Sequence, residues 1–190
     1  VKHNSFFSFG VKGKTLAAVV VWHQAKLPLL QRIFLGRSLK EAFSQAEKFS
    51  PLLQARAPFQ FKELKNKLKA YLSGQPVSFS LDYLFLQQSS IFQQSVYQKT
   101  AGLTWGTVAT YKEIACLIGK PFASQAVGQA LARNPFPIVI PCHRVIKSNG
   151  LLGGFSAGLS LKEALLSLEG WGKNPAGSII EYCKSRKGER

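Results

Sequence analysis

Apolar positions first alternate and then run together over residues 6–22. Phe-Phe-Ser-Phe-Gly-Val-Lys-Gly-Lys predicts a strand followed by a Gly-Lys turn, and Leu-Ala-Ala-Val-Val-Val-Trp predicts a buried strand. Residues 31–35 suggest a further strand. Periodicity then shifts towards 3.6. Ser38 is placed to cap a helix, Glu41 to complete a capping box, and Leu39, Ala42, Phe43, Ala46 and Phe49 to form its apolar stripe. A second helix is predicted over residues 58–72, with Phe61, Leu64, Leu68 and Leu72 on one face and lysines opposite; Gly74, Gln75 and Pro76 end it. Residues 75–88 read as an extended connector with a short strand at 77–81. From 89 to 170 the pattern is helical, with Gly and Pro punctuation. These shifts predict an N-terminal domain over 1–85, a second over 86–175 and a tail over 176–190.

Within the second domain, Thr110-Tyr-Lys-Glu113 is a capping box that opens a short helix. Gly119, Lys120 and Pro121 form a turn, Ser124 is placed to cap a second helix over 125–133, and Asn134-Pro135 stops it. Two short helices around a Gly-containing turn fit a helix-turn-helix. Ala126, Gly128, Ala130 and Ala132 make the second helix smooth. Such a surface suits close approach to a narrow minor groove, or tight packing inside its own domain.

Charge changes the picture. There are 25 Lys and Arg against 9 Asp and Glu, a formal net charge of +16. A polyanionic partner, nucleic acid first, is the expectation. Ala126, Gly128 and Ala130 of the smooth helix, with Arg133 and Arg144, form the expected DNA-contacting set. No basic amphipathic helix with a strong apolar face points to a membrane surface, and the apolar run at 16–22 is too short to span one. Cys116, Cys142 and Cys183 are odd in number and widely spaced, which argues against a disulfide framework and fits a reducing compartment. His3, His23 and His143 are scattered, and no metal or cofactor is expected.

The chemistry concentrates in Asn134-Pro-Phe-Pro-Ile-Val-Ile-Pro-Cys-His-Arg-Val145. Three prolines frame a β-like apolar run that leads to Cys142. His143 and Arg144 follow at once, and such neighbours favour the thiolate, the form in which a thiol reacts. On those residues alone a buried structural cysteine is the commoner case.

The same residues resemble a known family. Ile140-Pro-Cys-His-Arg-Val145 is similar to the signature of the O⁶-alkylguanine-DNA alkyltransferases (methylated-DNA–protein-cysteine methyltransferases). Phe92-Gln-Gln-Ser-Val-Tyr97, Gly106-Thr-Val-Ala-Thr-Tyr-Lys-Glu-Ile-Ala115, Ala126-Val-Gly128, Gly153-Gly-Phe-Ser156, Lys162-Glu163 and Glu169-Gly170 follow in family order. The match covers residues 89–170 and is weak before them. It implies an α/β fold: a small N-terminal sheet-plus-helices domain, then a mainly helical, winged-helix-like domain carrying the helix-turn-helix. It also implies direct repair, with an alkyl group moving from guanine O⁶ onto Cys142 in one irreversible event.

By the same resemblance His143 takes the thiol proton through a water, Glu169 orients His143, and Asn134 braces the turn. Tyr111 donates to the purine, Ser156 lies near O⁶, the Val145 backbone meets the exocyclic amine, and Phe155 forms an aromatic wall. Gln125 stands where the family usually has an arginine that fills the gap left by the flipped base, so extrusion is expected to be weaker or to lean on Phe122 or Lys120. Phe155 stands where many relatives have tyrosine. No cysteine precedes Cys116, so the N-terminal zinc site of some relatives is not expected. The implied partner is double-stranded DNA with O⁶-alkylguanine, with O⁴-alkylthymine as a second candidate lesion. The protein is expected to be monomeric and cytoplasmic, or nuclear in a eukaryote. Three alternatives stay open: a lesion binder without transfer, a helix-turn-helix regulator, and a cysteine hydrolase.

Overall fold

A computed structural model describes residues 6–23, 28–54 and 58–172; His3, Cys183 and the basic tail lie outside these. The chain divides into two compact units. One runs to Gln88 and includes Pro135–Val139; the other comprises Ser89–Asn134 and the chain from Ile140 onward.

The first unit is built on a four-stranded sheet in the order β3-β2-β1-β4. Strands β1 (Phe6–Lys12) and β2 (Ala17–His23) form the expected antiparallel hairpin, closed by the Gly13 amide donating to Leu16 O at 2.9 Å. Strand β3 (Leu29–Gly36) pairs antiparallel on the other side of β2. Central β2 is apolar from Ala17 to Trp22 because both of its faces are covered. On one face helix α1 (Leu39–Phe49) sets Ala42 and Ala46 against Val19 and Val21. It comes so near that a Cβ on Gly10 would meet Leu39 at 2.7 Å. On the other face Trp22 packs its ring against Phe7, Phe9 and Phe61, just before α2 (Lys62–Leu72).

Two local expectations need correction, and one strand was not foreseen. Ser38 does cap α1, accepting from the Glu41 amide at 3.2 Å, but the Glu41 carboxylate reaches the Arg37 amide (2.7 Å) instead of closing a box on Ser38. A three-residue strand, β4 (Leu52–Gln54), pairs parallel to β1; it is too short and too near Pro51 to show in the pattern. Residues 77–81 form no strand. Their alternation is real in burial, since Val77, Phe79 and Leu81 are half-buried between exposed serines, but the ladder bonds to β3 come later, from Leu30 to Tyr83 and from Phe85 to Leu30.

The second unit is mainly helical. Helix α3 (Ile91–Ala101) starts at a Ser90–Gln93 capping box, and α4 (Tyr111–Leu117) at the Thr110–Glu113 box that the sequence predicts. Helix α5 (Ser124–Ala132) is capped by Ala123, so Ser124 is its first residue and not its cap. Gly119, at φ +70°, makes the turn between α4 and α5. The Tyr97 hydroxyl donates to Ala130 O at 3.1 Å and ties α3 to α5. A short parallel ladder, β5 (Ala109–Thr110) with β6 (Val145–Ile146), and helix α6 (Leu159–Leu168) complete the unit.

The apolar run before Cys142 is not β-like. It is a series of turns in which buried Ile138 has φ +75°, a conformation that costs a β-branched residue on the order of 1–3 kcal/mol. No described helix is long and apolar enough to cross a membrane.

Candidate active site

Cys142 opens a single 3₁₀ turn, Cys142–Arg144, directly after Pro141. Asn134, just past the end of α5, fixes this turn: its side-chain amide donates to Ile140 O at 2.9 Å and to the Cys142 sulfur at 3.0 Å. The tight turn aims consecutive side chains at different targets. Cys142 is 4% exposed yet lines a cavity of about 660 Å³, while His143 and Arg144 converge on Glu169.

Glu169 caps the C-terminus of α6 and gathers four donors. His143 Nε2 lies 2.8 Å from Oε1, Arg144 donates through Nε and Nη2 at 2.8 Å each, and the Gly106 amide at 3.3 Å. Arg144 Nη1 donates to Leu103 O. Burial by itself would raise the Glu169 pKa; the hydrogen bonds and charges of His143 and Arg144 overcome it and hold the carboxyl at about 2. Burial pushes His143 below its ordinary value, so the ring is neutral at pH 7. A neutral ring facing a carboxylate carries its proton on Nε2, which leaves Nδ1 as the basic nitrogen.

These shifts fix a pH dependence of stability. Between pH 6.5 and the lower folded pKa of His143, the unfolded chain binds a proton that the native chain does not. The same holds for Glu169 between 4.5 and about 2. Both make stability fall as pH falls. We expect Glu169 alone to contribute on the order of 3 kcal/mol that disappears between pH 4.5 and 2. Urea unfolding at stepped pH checks this; a flat profile over that window contradicts it.

A second buried ion acts on the sulfur. Lys162 of α6 is fully buried, donates to Val145 O at 2.6 Å and Gly154 O at 3.3 Å, and also donates to Leu152 O. Burial lowers its pKa to about 8, and it retains its charge at neutral pH. That charge and the Asn134 hydrogen bond favour the thiolate of Cys142, but burial outweighs them and the thiol pKa is raised. At rest the sulfur carries its proton, and a base must take it.

The rest of the cavity comes from α4, α5 and the loop between β6 and α6. Tyr111 stands between Gly128 and Gly153, where added Cβ atoms would lie 3.7 and 2.8 Å from its ring and hydroxyl. Gln125, Phe155, Ser156, Lys112 and Lys147 line the same space. Arg133 is exposed, and Ala126 is half-buried outside the lining.

Three expected contacts lie elsewhere. Arg144, expected at DNA, is buried in its pair with Glu169. Ala130 faces inward, with its carbonyl on Tyr97. Val145 is buried, does not line the cavity, and gives its carbonyl to Lys162. Lys162 was legible only as part of a motif. Its sequence signal was a lysine inside the stripe Leu161, Leu165, Leu166 of α6, where a charge needs a partner.

Comparison with known proteins agrees with this geometry. Residues 91–171 match the family model described as 6-O-methylguanine DNA methyltransferase, DNA binding domain. The methylated-DNA–protein-cysteine methyltransferase of Methanosarcina barkeri is 49% identical over 109 residues, 57% of this chain and 68% of that protein. The chain belongs to the methylated-DNA–protein-cysteine methyltransferase family. A namesake from Saccharolobus islandicus is 42% identical over 116 residues, 61% of this chain and 74% of that protein. The Mycobacterium tuberculosis OGT crystal structure in complex with DNA superposes with a TM-score of 0.68 at 26% identity, over 93% of this chain and 98% of that one. The α/β fold class and the family resemblance expected from sequence are borne out. With the family comes the expected activity, direct repair of DNA by methyl transfer onto a protein cysteine.

Proposed function

We propose that the protein takes an alkyl group from O⁶ of a guanine in double-stranded DNA and keeps it on the Cys142 sulfur. The observation that carries this reading is a cysteine that lines the cavity, followed directly by a histidine whose Nε2 lies 2.8 Å from a buried carboxylate. The cavity volume of about 660 Å³ is typical of small-ligand sites, ~300–1,000 Å³. The target atom is hidden in stacked duplex, so the nucleotide must swing out to reach it.

His143 Nδ1 accepts the thiol proton, directly or through a water, and Glu169 stabilises the imidazolium that forms. Sulfur attacks the alkyl carbon in line; the S–C bond forms as the C–O⁶ bond breaks, and the electron pair leaves on the guanine. Tyr111, which lines the cavity and whose hydroxyl lies 3.5 Å from Gly154 O, turns that hydroxyl to the purine and donates as negative charge develops, and the guanine is released after gaining one proton. Lys162 steadies the thiolate while it exists. A thioether has no ready hydrolytic exit, so each molecule reacts once. One chain supplies the whole lining, so a monomer suffices.

DNA is the partner that fits the charge of +16, and Lys112 and Lys147 at the cavity meet its phosphates. O⁶-alkylguanine is the lesion, with O⁴-alkylthymine as a second candidate. Intact-mass spectrometry after mixing with O⁶-methylguanine duplex tests the reading. One CH₂ equivalent per molecule, stopping at one, is expected, and none with Cys142→Ser. An unchanged mass in wild type, or continued turnover on an ester, contradicts it.

A further inference from the structure

The turn between α4 and α5 carries an aromatic ring that its own unit does not use. Phe122 is fully exposed, at 101%, more than any other large apolar side chain among the described residues. Its place is fixed. Pro121 restricts the backbone before it, the Ala123 amide donates to Lys120 O at 2.9 Å, and Val127 N–H donates to Ala123 O at 2.9 Å as α5 begins. Ser124 and Gln125, two and three residues on, line the cavity that holds the sulfur, so roughly 10 Å of chain at most separates Phe122 from its wall. The surroundings are cationic, with Lys112, Lys120 and Arg133 exposed around α4 and α5. Leu117, half-exposed at the end of α4, adds apolar surface.

This inference rests on the proposed alkyl transfer from a flipped nucleotide. A nucleotide that leaves the stack exposes the faces of its neighbours, and a flat apolar ring inserted there replaces the lost stacking. Gln125 is uncharged and offers only a small amide plane. Among the described residues of this unit Phe122 is the exposed aromatic, and it lies two residues before the cavity lining begins at Ser124, on a turn that also carries exposed Lys120. We propose that Phe122 is the wedge that enters the base stack of duplex DNA and holds the damaged nucleotide out of it. Its role is confined to extrusion; it takes no part in the transfer once a guanine is in the cavity.

Single-turnover transfer from three substrates isolates that role: O⁶-benzylguanine as a free base, as part of a single strand, and as part of a duplex. For Phe122→Ala, transfer from the duplex should fall about tenfold or more, with free-base and single-strand rates unchanged. Phe122→Trp should keep the duplex rate and Phe122→Leu should give an intermediate one. A 2-aminopurine beside the lesion should brighten when wild type binds and remain dim with Phe122→Ala. Equal duplex rates for wild type and Phe122→Ala overturn the proposal, as does an equal loss on all three substrates. A Phe122→Ala change that alters only self-association assigns the ring to a second copy of the chain and also overturns it. Failure of wild type to take methyl from an O⁶-methylguanine duplex would instead sink the transfer reading beneath it.

Discussion

Glu169→Ala should reduce methyl transfer by about 10³-fold or more and lower the unfolding free energy by about 3–5 kcal/mol. The carboxylate sits between two buried bases, with His143 at 2.8 Å and Arg144 held through two nitrogens. Removing it leaves the Arg144 guanidinium charged and buried, with the Leu103 O bond in place but no counter-charge. It also frees the His143 ring to change tautomer, which would turn a protonated nitrogen towards the thiol. Glu169→Gln keeps the volume and can still accept hydrogen bonds. It should lose less stability but most of the rate, because it cannot stabilise an imidazolium. Adding Arg144→Met to Glu169→Ala removes the orphaned charge and should restore part of the stability without restoring transfer. Urea denaturation and quenched single-turnover assays read both quantities. A Glu169→Ala protein within about 0.5 kcal/mol of wild type would show that the buried pair carries no net stability.

Legibility followed the range of the interactions. The β1–β2 hairpin, α1 with Ser38, and α4 with its Thr110 box depend on neighbours a few residues apart, and the pattern showed them. The reactive constellation was legible as residues because Cys142, His143 and Asn134 lie close in sequence and Glu169 closes a recognisable motif. What those residues contact was not legible. Arg144 resembled a phosphate contact by charge, but the 3₁₀ turn that exposes Cys142 to the cavity rotates Arg144 into the interior, where Glu169 neutralises it. The same turn hides Val145, and Lys162 takes its carbonyl. Burial, which the sequence does not display, raises the pKa of the Cys142 thiol and lowers that of His143.

The apolar run at 136–140 shows the limit from the other direction. Ile-Val-Ile has strand composition, but prolines at 135, 137 and 141 remove amide donors from any ladder, and the segment resolves into turns with Ile138 at positive φ. The local propensity was right and the hydrogen-bonding partners were absent. At 77–81, likewise, alternation predicted which side chains would be half-buried and failed to predict pairing.

Gly153→Ala should lower transfer from duplex DNA by about 10²–10³-fold, the size of effect seen when one positioned donor is lost. Gly153 has φ +69°, where an added Cβ is strained, and that Cβ would lie 2.8 Å from the Tyr111 hydroxyl and 2.9 Å from its ring. Tyr111 has little room to yield. Gly128 stands against the same ring, with its Cβ position 3.7 Å away, and Lys162 Nζ lies 5.9 Å from the ring centroid. The methyl group must therefore displace the hydroxyl from the cavity or twist the loop that carries Phe155 and Ser156. Stability should fall by more than about 1 kcal/mol, because alanine cannot relax at this φ. Gly154→Ala, whose added Cβ meets nothing within 4 Å, should stay within about 0.5 kcal/mol of wild type. A double-mutant cycle identifies the cause. If the clash acts through Tyr111, Gly153→Ala should slow a Tyr111→Ala protein little further, since the displaced hydroxyl is already gone. Fully additive losses in that cycle would place the damage in the loop backbone and remove Tyr111 from the account.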